Sequence, residues 1–124
     1  FEKVVGIEIS REGFEGARTN AKLNQISNAE FFLGDASSIF EELKSLPNPC
    51  SLVVDPPRKG CDSNFLNQCL EFQPKRIIYV SCDPATQARD AKILVDGGYE
   101  ILQAQPFDLF PQTRHIENVL TLKI

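Results

Sequence analysis

The order of the predicted strands and helices indicates an α/β fold with a mainly parallel sheet. Short apolar runs rich in β-branched residues alternate with stretches whose apolar residues recur at helical spacing. This alternation is typical of units in which a helix connects two parallel strands. The last two strand-like runs have only a loop between them, so we expect them to pair antiparallel at one edge of the sheet.

Six strands and four helices follow from this pattern. The strands are predicted at residues 4–9, 29–33, 51–55, 76–81, 99–105 and 116–124. The helices are predicted at residues 11–25, 37–46, 63–72 and 84–95. Ser10 is expected to cap the first helix, and Pro84 to lie in the first turn of the last one.

The composition is that of a globular protein with one domain. The chain has 124 residues, of which 42% are hydrophobic and 24% are charged. No apolar run approaches the ~18 residues of a membrane span, and no signal peptide is visible, so no membrane partner is expected. The net charge of −4 provides no chain-wide basic surface for nucleic acid.

The cysteines argue against metal and disulfide scaffolds. Cys50, Cys61, Cys69 and Cys82 form no C-x-x-C pair, and the chain has a single histidine. We therefore expect neither a structural zinc site nor a disulfide framework. This cysteine usage indicates a reducing, intracellular setting.

Three acidic residues and one cysteine lie where the predicted parallel strands end. They are Glu8, Asp35, Asp55 and Cys82. Ligands of open α/β sheets bind beyond these carboxyl ends, and an acid that ends a strand of a nucleotide-binding unit accepts hydrogen bonds from ribose hydroxyls. We assign Glu8 this role, whereas Asp35 is either a ligand-binding acid or the N-cap of the next helix.

Two interpretations of Cys82 are open from its position. Free cysteines are often small buried hydrophobic residues. Cys82 ends a strand just before the helix start at Pro84, however, and helix N-terminal amides stabilise a thiolate. We favour a functional thiol at Cys82 and expect the other three cysteines to be inert.

Residues 110–117, FPQTRHIE, form a second dense group of polar and aromatic residues. It contains the single histidine, His115, and the acid Glu117. The group is either an ordinary loop entering an edge strand or part of a site. A Cys82–His115 pair of the hydrolase type is a further possibility, but no nucleophile-elbow motif supports it.

Five segments, in this order, resemble one family across essentially the whole chain. They are VVGIEIS (4–10), GDA (34–36), DPPRKG (55–60), YVSCDP (79–84) and DLFPQTRHIE (108–117). The chain resembles the SAM-dependent RNA uracil-5-methyltransferases, above all the branch that makes 5-methyluridine in the T arm of tRNA, and within it particularly the fungal members. The strand-end cysteine followed by FPQT-x-H-x-E is the most specific part of the likeness.

The resemblance implies roles for the acids and for the thiol. Cys82 matches the nucleophile of the family and Glu117 its general base. Glu8 matches the acid that binds the SAM ribose, and Asp35 the acid near the adenine. Asp55 matches the aspartate placed between the cofactor and the target base.

The DPPR and H-x-E motifs also imply substrate contacts. We assign substrate binding to Asp55, Arg58 and His115, with RNA, most simply tRNA, as the partner and no metal. One residue departs from the family pattern, since Asp83 stands where the family usually has Asn. That departure adds a carboxylate beside the thiol.

The implied fold is the class I SAM-dependent methyltransferase sheet, a Rossmann-like fold with strand order 3-2-1-4-5-7-6. The strands predicted here correspond to strands 2 to 7, without the first strand and its Gly-rich loop. The chain also contains no Met, and Phe1 comes shortly before a strand. We therefore expect residues 1–124 to be the C-terminal part of the catalytic domain, which binds SAM weakly and is inactive alone.

The implied reaction needs one thiolate and one carboxylate. The thiolate adds to C6 of uracil and so makes C5 nucleophilic, and after methylation a base removes the C5 proton. Two alternatives remain. An amino-methylating enzyme of the D/N-P-P type needs no thiol, and a non-catalytic RNA-binding or tRNA-folding module needs neither group.

Overall fold

The computed structural model describes residues 1–35, 40 and 50–124. The chain forms two compact units, Phe1–Ser45 and Leu46–Ile124, which we describe separately. The helix predicted at residues 37–46 lies outside the described residues except for Phe40. No helix in the described ranges is long and apolar enough to cross a bilayer.

The first unit is a strand–helix–strand unit with two parallel strands. Strand β1 (Val4–Glu8) is followed by helix α1 (Arg11–Leu23) and strand β2 (Ala29–Leu33). The parallel register runs from Val4 opposite Ala29 to Glu8 opposite Leu33. Ser10 caps α1 as predicted, because its hydroxyl accepts a hydrogen bond from the Gly13 amide at 3.0 Å.

The second unit contains a four-stranded mixed sheet and two helices. Its elements are β3 (Ser51–Val54), α2 (Ser63–Phe72), β4 (Arg76–Ser81), α3 (Pro84–Asp96), β5 (Glu100–Phe107) and β6 (Glu117–Lys123). The strand order is β3-β4-β6-β5. The pair β3–β4 is parallel, whereas β4–β6 and β5–β6 are antiparallel, which confirms the predicted pairing of the last two strands.

The boundaries follow from local chemistry. The bounds of β2, α2 and β4 are those predicted, and the other described elements differ from prediction by one or two residues at an end. β3 ends before Pro56 and Pro57, which have no backbone N–H to donate to a neighbouring strand. Asp62 caps α2 by accepting from the Phe65 amide at 2.8 Å, and Gln73 ends α2 in the left-handed conformation.

The core of the second unit lies between the sheet and its helices. Along β4, Ile77, Tyr79 and Ser81 are buried and alternate with half-buried neighbours, so one face of the strand is the more deeply covered. Leu66 of α2 and Leu94 of α3 are almost fully buried. Every residue of β5 is exposed, since this strand ends the sheet.

Candidate active site

Cys82 lies between β4 and α3, in a turn that we call the Cys82 turn (residues 81–84). Its side chain is half-buried. The Ser81 hydroxyl accepts a hydrogen bond from the Asp83 amide at 3.1 Å. The Asp83 carboxylate caps α3 by accepting from two first-turn amides at 3.0 and 3.2 Å. An Asn side chain can cap a helix in the same way, so the departure from the family pattern at this position preserves the cap.

Glu117 is the first residue of β6, at the end of that strand that pairs with the end of β4 just before Cys82. Ser81 is the last residue of the β4–β6 ladder and lies opposite Asn118. If this antiparallel register continued by one step beyond the ladder, Cys82 would lie opposite Glu117. Directly opposite residues of antiparallel strands have Cβ atoms about 4.5–5.5 Å apart. Both side chains are half-buried.

The segment after β3, residues 55–61, forms a second turn, which we call the DPPR turn. Asp55 directly follows the strand and is exposed. The Gly60 amide donates to the Pro57 carbonyl at 2.8 Å, and Gly60 has a φ of 78°. The side chain of Thr86, in the first turn of α3, donates to the Arg58 carbonyl at 2.9 Å. The DPPR turn is thus attached to the helix that follows Cys82.

Arg58 and His115 are in direct contact. Arg58 Nη2 lies 3.2 Å from His115 Nδ1. A guanidinium can only donate, so a hydrogen bond between these two atoms has His115 Nδ1 as its acceptor. The His115 amide in turn donates to the Thr113 hydroxyl at 3.2 Å. The structure therefore brings together Arg58 and His115, two of the three residues predicted to bind substrate. His115 lies two positions before Glu117 in the chain.

A buried carboxylate that the motifs did not reveal lies against the DPPR turn. Asp90, on α3, has a fully buried side chain. Its Oδ2 accepts hydrogen bonds from the Tyr79 hydroxyl and the Cys61 amide, both at 2.7 Å. Its Oδ1 accepts from Arg89 Nε at 2.8 Å and from Arg89 Nη2 at 2.7 Å. We call Cys61, Tyr79, Arg89 and Asp90 the Asp90 cluster.

One sequence signal could have revealed this cluster. The buried side of α3 is formed by Gln87, Asp90, Ala91 and Leu94, which recur at helical spacing. Two of these four positions are polar, and a charged residue on a buried helix face requires partners. That pattern distinguishes Asp90 from an ordinary surface carboxylate.

Burial keeps the thiols of the second unit's core protonated. It raises the pKa of Cys61 to about 11 and that of Cys69 to about 12. The pKa of Tyr79 is also raised, first by burial and then by its hydrogen bond to Asp90. Protonated thiols are poor nucleophiles and poor metal ligands. Among residues 1–35, 40 and 50–124, no group of three His, Cys, Asp or Glu side chains is arranged to hold a metal ion.

A pair of side-chain amides links α3 to the start of β6. Gln87 is 1% exposed, and its Nε2 donates to the Tyr79 carbonyl at 2.8 Å and to the Asn118 carbonyl at 3.2 Å. Asn118 Nδ2 donates back to Gln87 Oε1. Because Asn118 follows Glu117 directly, this pair fixes the backbone next to Glu117 against the helix that follows Cys82.

The remaining predicted residues, Glu8 and Asp35, belong to the first unit. Glu8 is half-buried, and its Oε1 accepts from the Ser10 amide at 2.8 Å. A Cβ at Gly13 would lie 2.9 Å from Glu8 Cδ, so the carboxyl group rests against a position where only glycine fits without displacement. Asp35 is exposed and follows β2 by two residues. Because β1 and β2 are parallel, both acids lie at the same end of their sheet.

Comparison with known proteins gives consistent matches in sequence. The model of the tRNA (uracil-5-)-methyltransferase family matches residues 1–124. A tRNA (uracil(54)-C(5))-methyltransferase from Schizosaccharomyces pombe is 48% identical over 98% of this chain and 24% of its own length. An uncharacterized RNA methyltransferase from Oceanobacillus iheyensis is 50% identical over 99% of this chain and 28% of its own. The chain thus spans about a quarter of the length of these relatives.

Solved structures agree with the sequence matches. The Pyrococcus abyssi tRNA (uracil-54, C5)-methyltransferase, in complex with S-adenosyl-L-homocysteine, superposes with a TM-score of 0.83 at 33% identity. That match covers 97% of this chain and 28% of the archaeal one. The Methanococcus jannaschii fibrillarin pre-rRNA processing protein, at 17% identity and a TM-score of 0.69, shares the fold alone. The predicted Rossmann-like methyltransferase fold and the motif resemblance are confirmed, and the chain belongs to the tRNA (uracil-5-)-methyltransferase family.

Proposed function

We propose that the protein methylates C5 of a uridine in tRNA and that this chain, as the C-terminal part of the catalytic domain, supplies the nucleophile and the base. The observation that carries the proposal is the β4–β6 register, whose last pair is Ser81 and Asn118, the residues directly next to Cys82 and Glu117 in the chain. A thiol and a carboxylate are the two groups that this chemistry requires.

In the proposed reaction, Cys82 Sγ forms a bond to C6 of the uracil. The C5–C6 π electrons move toward C5 and the O4 carbonyl, which makes C5 nucleophilic. S-adenosylmethionine would supply the methyl group. Glu117 then takes the C5 proton, the electrons of the C5–H bond re-form the C5–C6 double bond, and the C6–S bond breaks to release the Cys82 thiolate.

We assign the cofactor-binding role to Glu8, Asp35 and Asp55. Glu8 fits this role because its carboxylate ends a parallel strand and is oriented by the Ser10 amide. Asp35 lies at the same end of the two-stranded sheet. Both acids offer acceptor oxygens suited to the hydroxyl and amino groups of an adenosine.

We assign substrate binding to Asp55, Arg58 and His115. The guanidinium of Arg58 has five N–H donors and contacts His115 through one nitrogen. Its other donors can bind a phosphate or a base edge. The contact with His115 connects Arg58 to the loop that leads into Glu117.

Mechanism-based trapping tests the nucleophile. The full-length protein is incubated with SAM and a tRNA that contains 5-fluorouridine, and the covalent complex is detected by denaturing gel electrophoresis. Fluorine at C5 cannot leave as a proton, so the Cys82–C6 bond should persist. Cys82→Ala should abolish both the complex and 5-methyluridine formation, whereas the half-buried Cys50→Ala control should retain both. A complex that forms in Cys82→Ala contradicts the assignment.

The general base requires a separate variant. With ordinary tRNA and SAM, Glu117→Gln should accumulate a covalent complex, because the C5 proton stays in place and the thiol cannot leave. Free 5-methyluridine product at the wild-type rate would contradict the role of Glu117. Full methylation by Cys82→Ala, with the methyl group on an amino nitrogen, would instead indicate the amino-methylating reaction.

A further inference from the structure

We infer that Arg89 and Asp90 are positioning residues that hold the DPPR turn, and with it Arg58, in the geometry that the reaction needs. This inference rests on the proposed function. Neither residue belongs to a motif that the sequence analysis singled out. Their effect would be transmitted through the backbone of residues 57–61.

The first support is that the Asp90 carboxylate is buried and hydrogen-bonded at both oxygens. The side chain is fully buried and accepts four hydrogen bonds, two on each oxygen. A buried charge is costly unless it is paired and hydrogen-bonded. One donor is the amide of Cys61, so the carboxylate is bonded directly to the end of the DPPR turn.

The second support is the guanidinium of Arg89, which bridges the carboxylate and the turn. Arg89 Nη2 donates to the Lys59 carbonyl at 2.9 Å and lies 3.3 Å from the Cys61 carbonyl. These two carbonyls flank Gly60. The Arg89 side chain is 54% exposed, so its removal should perturb the turn more than the core.

The third support is that no space is left between the DPPR turn and the side chains of Arg89 and Asp90. A Cβ at Gly60 would lie 2.5 Å from Asp90 Oδ2 and 2.6 Å from Arg89 Nη2. With a φ of 78°, Gly60 also has a backbone conformation that other residues adopt rarely. Glycine therefore lets the backbone approach the two side chains closely.

The turn held in this way contains Arg58. The Arg58 carbonyl is bonded to Thr86, one turn before Arg89 on α3, and its side chain contacts His115. The same helix begins at Pro84, the last residue of the Cys82 turn. One helix thus fixes both the segment that carries the proposed nucleophile and the segment that carries Arg58.

A double-mutant cycle on the full-length protein tests the functional part of the inference. Methylation of tRNA is measured as kcat and KM for wild type, Arg89→Ala, Arg58→Ala and the double variant. Arg89→Ala should lower kcat/KM about tenfold in the wild-type background and less than about twofold in the Arg58→Ala background. If the loss of kcat/KM in the double variant equals the product of the losses in the two single variants, Arg89 does not act through Arg58 and the inference is wrong.

Hydrogen exchange tests the physical part independently of activity. In Arg89→Ala, the amides of residues 59–61 should exchange at least about tenfold faster than in wild type, since the turn opens more often. Lys92→Gln is the matched control, because Lys92 is an exposed residue of the same helix that pairs only with Asp96 among the described ion pairs. Unchanged exchange in Arg89→Ala overturns the inference. If wild type forms no 5-methyluridine, the proposed function fails, and exchange alone decides whether Arg89 holds the turn.

Discussion

The DPPR turn and the Cys82 turn both follow parallel strands of the second unit, but they are stabilised in different ways. The Cys82 turn is held by its own residues, since Ser81 bonds Asp83 and Asp83 caps the helix that starts at the next position. The DPPR turn is held by side chains that lie about thirty positions later in the chain, on α3. A turn of the first kind depends on local chemistry, whereas a turn of the second kind depends on a folded neighbour.

The largest expected effect on stability comes from removing Asp90, which binds the DPPR turn from α3. Asp90→Ala should lower the free energy of unfolding by about 3 kcal/mol, because it leaves the Tyr79 hydroxyl and the Cys61 amide without their acceptor at roughly 1–3 kcal/mol each. Urea denaturation measures the loss. Asp96→Ala, which removes an exposed pair with Lys92, is the control and should cost under about 0.5 kcal/mol. Equal losses in the two variants would show that Asp90 contributes no more to stability than an exposed ion pair does.

The second effect tests the close approach at Gly60. Gly60→Ala should lower the free energy of unfolding by about 2 kcal/mol, since the added Cβ meets Asp90 and the residue must keep a positive φ. Gly16→Ala should have the opposite sign, with a gain of about 0.5–1 kcal/mol, because Gly16 lies within α1 and an added Cβ would meet no neighbouring atom within 4 Å. Thermal unfolding of the two variants measures the change in stability that each substitution causes. A Gly60→Ala protein as stable as wild type would contradict the described packing.

The third effect is a pH dependence of the free energy of unfolding, which arises from Cys61 in the DPPR turn. Burial raises the pKa of Cys61 from 9.0 to about 11. Above pH 9 the unfolded chain releases this proton while the folded chain keeps it, so stability is full below pH 9 and falls as the pH rises toward 11. The slope from one such thiol is at most about 1.4 kcal/mol per pH unit. Denaturation between pH 8.5 and 10.5, run in parallel on Cys61→Ser, should show a shallower decline in the variant.

The smallest expected effect on stability concerns the Cys82 turn, which is stabilised by its own residues. Asp83→Ala removes the cap of α3 and should cost about 1 kcal/mol, whereas Asp83→Asn should stay within a few tenths of a kcal/mol because Asn also caps helices well. Chemical denaturation of the two variants measures the difference. A loss in Asp83→Ala as large as that of Asp90→Ala would show that the Cys82 turn depends on more than its local bonds.

The same contrast explains what could be predicted from the sequence. The Cys82 turn could be anticipated because a strand, Cys82 and the helix start at Pro84 follow one another within a few positions. The antiparallel pairing of the last two strands followed from the loop between them. In both cases the physical determinants lie close together along the chain.

The supports of the DPPR turn could not be read from the motifs. Arg89 and Asp90 act on a turn thirty positions away, and only the fold shows that α3 packs there. The placement of β6 between β4 and β5 is likewise a long-range fact, and it came from family resemblance rather than from periodicity. That placement sets Asn118, the residue after Glu117, opposite Ser81, the residue before Cys82. Interactions of this kind are set by packing, which a single sequence does not encode in any short pattern.

The exposure of β5 has a consequence for self-association. A strand at the end of a sheet presents backbone groups that another chain could pair with, and Ile101 and Leu102 would make such contact more favourable. Three features oppose this: Pro106 has no N–H to donate, the register shifts between Ile101 and Gln103, and Glu100 adds a charge at the start of the strand. These are the devices that protect natural edges, so β5 is a poor template for intermolecular strand addition despite its apolar side chains.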